Sequence, residues 1–237
     1  MANFDTHFKA SVISSAALTS TVLATELTTV SNTLMLFIIG SLAGLLPDLD
    51  ADKSRSLNSL FSIFALSIAI CLSIFISFDN LLALWLCAFI TYVLIMYALK
   101  PLFERYTVHR GAAHSLLFVL MMSLIGIHLV ILTGKSINSA LLVGVSIAVG
   151  MLTHLILDEC YSVDINNNEL KASFGSALKP VSLNAPVAST LQLLVIIVAI
   201  YLLLPYQQDL LQTLQSWHNK LTRIPLMPNL DIFKQWL

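Results

Sequence analysis

Residues 140–158 read ALLVGVSIAVGMLTHLILD, an apolar run with a histidine one turn from its end and an aspartate at its mouth. Apolar residues fall on every side of the run rather than along one stripe, as in a helix that crosses a bilayer. His154 and Asp158 are four residues apart. On a helix that spacing is an offset of about 40° and a rise of about 6 Å, so both side chains point the same way and can hold one cation between them.

The whole chain has the same character. Of its 237 residues, 57% are hydrophobic and 11% charged, against about 25% charged in an ordinary soluble domain, and the mean hydropathy is +0.87. A soluble core of this length cannot hide so many apolar side chains, so the chain reads as an all-α, polytopic membrane helical bundle. A net charge of -1 and the lack of any basic run give no basis for nucleic-acid binding. Cys71, Cys87 and Cys160 have no metal or redox spacing and read as free thiols. The first nine residues have no basic cluster ahead of an apolar stretch and do not resemble a cleaved signal peptide.

Seven spans are expected, within a range of six to eight, at about 8–24, 33–46, 60–78, 81–99, 115–133, 140–157 and 187–204. The first is rich in Ser and Thr. The second stops at Pro47, which disfavours helical geometry just before it. Residues 1–204 then form one transmembrane domain that carries the site, and 205–237 an interfacial tail. In the tail Leu210, Leu211, Leu214, Trp217 and Leu221 recur at helical spacing, the mark of an amphipathic helix on a membrane surface. The polar connection at 159–184 is long for a structureless loop, so it is expected to be functional or locally folded.

Polar residues gather at four places: His7; Asp48 and Asp50; His109, Arg110 and His114; and His154 with Asp158. Antiparallel spans alternate, so two crossings separate the Asp48 loop from the His109 stretch, and two more lead to the end of the sixth span. All three share a face. His7 joins them if the first two runs both cross. Lys9, Lys53, Arg55, Lys100, Arg105, Arg110, Lys171 and Lys179 lie on that face, against Lys135 alone in the short loops opposite. The bias places the N-terminus and the motifs on the cytoplasmic side.

His109 and His114 are five residues apart and diverge by about 140° on a regular helix. Sharing a site therefore requires a break, and the fifth helix is expected to start near Gly111, with Arg110 and His114 facing inward and His109 in the preceding loop. The Asp48 cluster is not an EF-hand, because Lys53 and Ser59 stand where the loop needs glycine and glutamate. His128, in mid-span, reads as a buried, hydrogen-bonded histidine, and His218 as interfacial.

Three motifs, Gly44-Leu45-Leu46-Pro47-Asp48-Leu49-Asp50, His109-Arg110-Gly111-Ala112-Ala113-His114-Ser115 and His154-Leu155-Ile156-Leu157-Asp158, resemble in order and spacing those of the YdjM-like family. Its members are bacterial inner-membrane proteins, some under LexA control, assigned by prediction as metal-dependent hydrolases. The resemblance covers about residues 7–160. It implies His7, Asp48, Asp50, His109, His114, His154 and Asp158 as metal-site residues.

Seven candidates exceed the four ligands of a structural zinc site and imply one or two divalent ions, zinc first and manganese second. Such a site would activate water to cleave a phosphoester or a lipid-like substrate reached from the bilayer. Asp50 and Arg110 are the catalytic candidates, Arg110 as a bidentate phosphate clamp. The alternatives from the same residues are a divalent-cation or proton-coupled transporter and a membrane scaffold with a structural metal. No oligomeric state is implied.

Overall fold

Four short polar residues, Thr29, Asn80, Ser115 and Ser136, stand just before apolar runs. The side-chain oxygen of each accepts a hydrogen bond from the backbone N–H three residues on, satisfying donors that a first helical turn leaves open. The computed structural model describes residues 4–50, 58–59, 61–63, 65–66, 69, 78–102, 112–164, 169–170, 175 and 178–223.

The α-helices among them are α1 (Phe4–Ala24), α2 (Val30–Ala43), α3 (Leu81–Leu94), α4 (Leu116–Leu132), α5 (Ile137–Tyr161), α6 (Pro186–Leu203) and α7 (Gln207–Leu221). α2 passes into a 3-10 turn at Leu46–Asp50, α3 into a π turn at Ile95–Leu99, and α6 into a 3-10 turn at Leu204–Tyr206 that contains Pro205. The expected all-α membrane architecture is present. Among the described residues four stretches are long and apolar enough to cross a bilayer: Val30–Asp48, Leu81–Leu102, Ile137–Tyr161 and Pro186–Leu221. α4 is apolar but shorter, and the Ser and Thr content of α1 lowers its hydropathy. Only scattered residues of the run expected at 60–78 are described; those between 61 and 69 are helical, and Ser62 Oγ lies 2.9 Å from Tyr92 Oη.

α5 is the central helix, packed against α1, α2 and α4, with α6 on the far side of α4. Its contacts with α1 and α2 follow ladders of four-residue spacing. On α1 the buried residues include His7, Ser11, Ser15 and Thr19; on α5, Ser146, Gly150, His154 and Asp158. α2 supplies Leu36 and Gly40, and the ladder continues through the buried Gly44. Small residues allow backbones to approach closely without help from water exclusion, the usual basis of helix association in lipid. Here the approach is extreme. A Cβ on Gly44 would overlap the Ser11 side chain, and one on Gly150 would overlap the Gly40 carbonyl.

The same overlaps give the directions. Gly40 and Gly44 meet Ser15 and Ser11, so α1 and α2 are antiparallel; they meet Ser146 and Gly150 in ascending order, so α2 and α5 are parallel.

The connection after α5 is locally folded, as expected. Val163–Asp164 pairs antiparallel with Glu169–Leu170. Further on, the Lys179 and Pro180 carbonyls accept hydrogen bonds from the Leu116 and Leu117 N–H groups at 3.0 and 3.1 Å, covering the start of α4. At the other end of the bundle α7 folds back. Trp217 Nε1 donates to Asn138 Oδ1 at 2.6 Å and Lys220 Nζ to the Glu26 carbonyl at 2.7 Å, while Leu211, Leu214 and Leu221 remain exposed.

Candidate metal centre

The three ladders carry polar groups to one end of the bundle. His7 lies in the first turn of α1, and His154 and Asp158 in the last two turns of α5. Asp48 sits in the 3-10 turn after α2, where the fully buried Leu45 and Pro47 tuck the chain under the helices and Asp48 N donates to the Leu45 carbonyl at 3.2 Å. His114 comes from a different side, in the turn before α4. Ser115 fixes that turn: its Oγ donates to the Ala112 carbonyl at 2.8 Å and accepts from Phe118 N at 3.2 Å. Gln192 Nε2 of α6 donates to the same carbonyl at 3.2 Å.

One expectation is corrected here. α4 starts at Leu116 rather than near Gly111, because Ser115 takes the capping position, and His114 faces inward from the turn ahead of the helix. His109 and Arg110 lie outside the described residues, as does the side chain of Asp50.

Five of the expected residues meet. His7 Nε2 lies 3.1 Å from Asp158 Oδ1, and His114 Nε2 lies 3.5 Å from Asp158 Oδ2 and 3.9 Å from Asp48 Oδ1. His154 Nε2 is 3.4 Å from Asp48 Oδ1 and 3.7 Å from Asp158 Oδ2. The rings of His7 and His154 are stacked, with centroids 3.7 Å apart. Burial is deep for residues at helix ends: His7, His114, His154 and Asp158 are 1, 3, 0 and 5% exposed, and the Asp48 side chain is 13% exposed.

Paired acids and imidazoles this deep are costly unless each charge has a partner. Yet His154 Nε2 and both Asp158 oxygens are buried without an in-line hydrogen bond, although His7 Nε2 approaches Oδ1. His154 is oriented from behind, since its Nδ1 donates to the Gly44 carbonyl at 2.6 Å. A carbonyl only accepts, so Nδ1 carries the proton and Nε2 presents a lone pair to the cluster, the arrangement typical of a metal-ligating histidine.

The spacing fits an ion as well. Tetrahedral bonds of about 2.0–2.2 Å place neighbouring ligand atoms about 3.3–3.6 Å apart, while N–H···O hydrogen bonds favour about 2.9–3.0 Å. The 3.4 and 3.5 Å separations fall in the first range, those of 3.7 and 3.9 Å lie just above it, and the 3.1 Å contact of His7 is near the second. His7, His154 and Asp158, and likewise Asp48, His114 and His154, each offer ligand atoms within 4.8 Å of one another, so these buried groups have the composition and geometry to hold a metal ion.

The profile of the YdjM inner membrane protein family matches residues 1–210. The chain belongs to this family. The match extends from α1 into α7 and includes all five clustered residues. No curated protein and no solved structure matches the chain. In this YdjM-family protein the other expected histidines behave differently from the cluster. His128 is half-buried, not buried as expected, and its Nε2 pairs with the Ala199 carbonyl at 2.9 Å, a polar contact between α4 and α6; His218 is exposed on α7. Cys87 and Cys160 are free thiols; Cys71 lies outside the described residues.

Sequence reasoning missed Gly44, Gly150, Ser115 and Gln192. The first two left a signal in the four-residue spacing of small residues, and Ser115 in its place before an apolar run. Gln192 left none.

Proposed function

We propose that this chain is a membrane-embedded, metal-dependent hydrolase that acts on a phosphoester or lipid-like substrate at the cytoplasmic ends of its helices. The observation that carries the reading is the convergence of three imidazoles and two carboxylates from four segments, at ligand-to-ligand spacing, in a buried site of a membrane protein. A bound divalent ion, zinc or manganese, supplies Lewis-acid polarisation of a phosphoryl or acyl oxygen and acidifies water at neutral pH.

The residues of the chain do the rest. Asp48, His114, His154 and Asp158 hold the ion, and the Gly44 carbonyl keeps His154 in the correct tautomer. Buried walls exclude bulk water and strengthen each electrostatic contact. Substrate approaches beside Asp48, the least buried of the five. Arg110, five residues before the α4 cap, and Asp50, two beyond Asp48, are the candidate groups for binding a phosphate and completing the site.

The excess of Lys and Arg beside the cluster supports the cytoplasmic assignment, with seven spans over residues 1–204 and the tail on the outer surface. Carriers hold their ligands near mid-bilayer, often where helices break, whereas these five lie at helix ends, which favours hydrolysis over transport. The test is purification without chelators, metal analysis by mass spectrometry, and hydrolysis of phospholipid in mixed micelles. Bound zinc or manganese and activity lost in Asp158→Asn are expected. Near-absent metal, or unchanged activity in that variant, would overturn the reading.

A further inference from the structure

We infer that the five clustered side chains hold a single ion through Asp48, His114, His154 and Asp158, and that His7 stands outside the ligand set as the residue that positions Asp158. This rests on the metal reading above and divides roles within it.

The lone pair of an imidazole nitrogen lies in the ring plane, so a ligated ion sits close to that plane. The His7 and His154 rings are 9° from parallel with centroids 3.7 Å apart. An ion midway between the rings would stand out of each plane by up to half that separation, about 1.8 Å, on a bond of only about 2.0–2.1 Å. From that direction it meets ring π density instead of a lone pair. Stacked this way, His7 and His154 cannot serve the same ion.

His114 and His154 meet no such obstacle. Their planes are 68° apart and their centroids 5.8 Å, so in-plane directions from the two rings can cross at one point. Asp48 Oδ1, His154 Nε2, Asp158 Oδ2 and His114 Nε2 form a closed circuit with edges of 3.4, 3.7, 3.5 and 3.9 Å. These supply four of the six edges that a slightly open tetrahedron around one ion would have, and the His114 and His154 ligand atoms, on a fifth, lie within 4.8 Å of each other.

Among the described residues a second ion has no ligands of its own. The two possible triads, His7 with His154 and Asp158, and Asp48 with His114 and His154, share His154. Its Nδ1 is committed to the Gly44 carbonyl, which leaves one lone pair for one ion. His7 Nε2 instead lies 3.1 Å from Asp158 Oδ1, the oxygen that the circuit leaves out, in a close contact that is out of line for a full hydrogen bond. It braces that oxygen while its ring lies against His154. Partners of this kind are typically worth 10–100-fold in metal affinity.

The experiment is X-ray absorption on full-length protein in detergent, loaded with zinc, with metal content measured on the same samples. Wild type should bind one zinc per chain with two imidazoles and oxygen donors. His7→Gln, which keeps an N–H donor, should retain the two-imidazole signature and bind within about tenfold of wild type. His7→Phe, which keeps the stack but not the donor, should bind about 10–100-fold more weakly with the same ligand count. His114→Ala should lose an imidazole or the ion. Three imidazoles in wild type, falling to two in His7→Gln, would overturn the assignment and leave the metal reading intact, as would two ions per chain. No zinc in wild type would overturn both.

Discussion

The most apolar 18-residue stretches of the α5 and α3 spans have the same mean hydropathy, 2.3, yet 56% of the first is buried within the bundle against 6% of the second. Lipid accounts for the apolarity of both, and close packing for the difference. α5 interleaves Ser146 and Gly150 with its apolar residues and lets α1 and α2 approach to backbone contact. α3 has no glycine, acid or histidine, and it presents Leu82, Trp85, Phe89 and Ile90 outward. Hydropathy thus identifies a helix that can live in a membrane; four-residue spacing of small side chains identifies one that others pack against. The polar cluster lies on the second kind.

Gly150→Leu should have the largest effect on this contrast. The new side chain would overlap the Gly40 backbone, and overpacking of this kind costs about 1–3 kcal/mol or more. Bound metal should be lost and thermal unfolding in detergent should lose its cooperativity. A variant that still binds metal and melts like wild type would show that the ladders do not hold the site.

Asp158→Asn should come next, and with a different signature. Metal content should fall at least about tenfold, as expected for loss of a ligand, while helical circular dichroism and cooperative melting persist. Collapse of the fold in this variant would mean that the cluster, and not the small-residue packing, holds α1, α2 and α5 together.

Gln192→Leu removes the bond from α6 to the Ala112 carbonyl. The cost should be about 0.5–1.5 kcal/mol, read as a lower melting temperature, with less metal lost than in Asp158→Asn. Phe89→Ala on α3 should have the smallest effect, within about 0.5 kcal/mol, as at other sites that make few contacts. A loss comparable to that of Gly150→Leu would show that α3 packs as α5 does.

Much of this arrangement was legible residue by residue. The i, i+4 pair His154 and Asp158 on an apolar run announced itself, and counting crossings brought His7, Asp48 and His114 to the same end. The start of α4 lies later than the spacing of His109 and His114 predicts, because Ser115 offers a better cap than a break at Gly111. The depth of burial was not legible either. Residues at span ends are expected to meet water, but Leu45 and Pro47 fold beneath the bundle and the Lys179–Pro180 carbonyls cover the start of α4.

The amino-acid sequence by itself determined that apolar helices would fill a bilayer and which helix ends would lie together, because hydropathy and alternation of direction depend only on order along the chain. Only the tertiary structure decided that His7, His114 and His154 each come within 3.1–3.9 Å of Asp158, and His114 and His154 also of Asp48. That distance depends on how closely α1, α2 and α5 approach, and therefore on Ser11 meeting Gly44 and Gly150 meeting Gly40, matches between residues far apart in the chain that no single run of sequence contains.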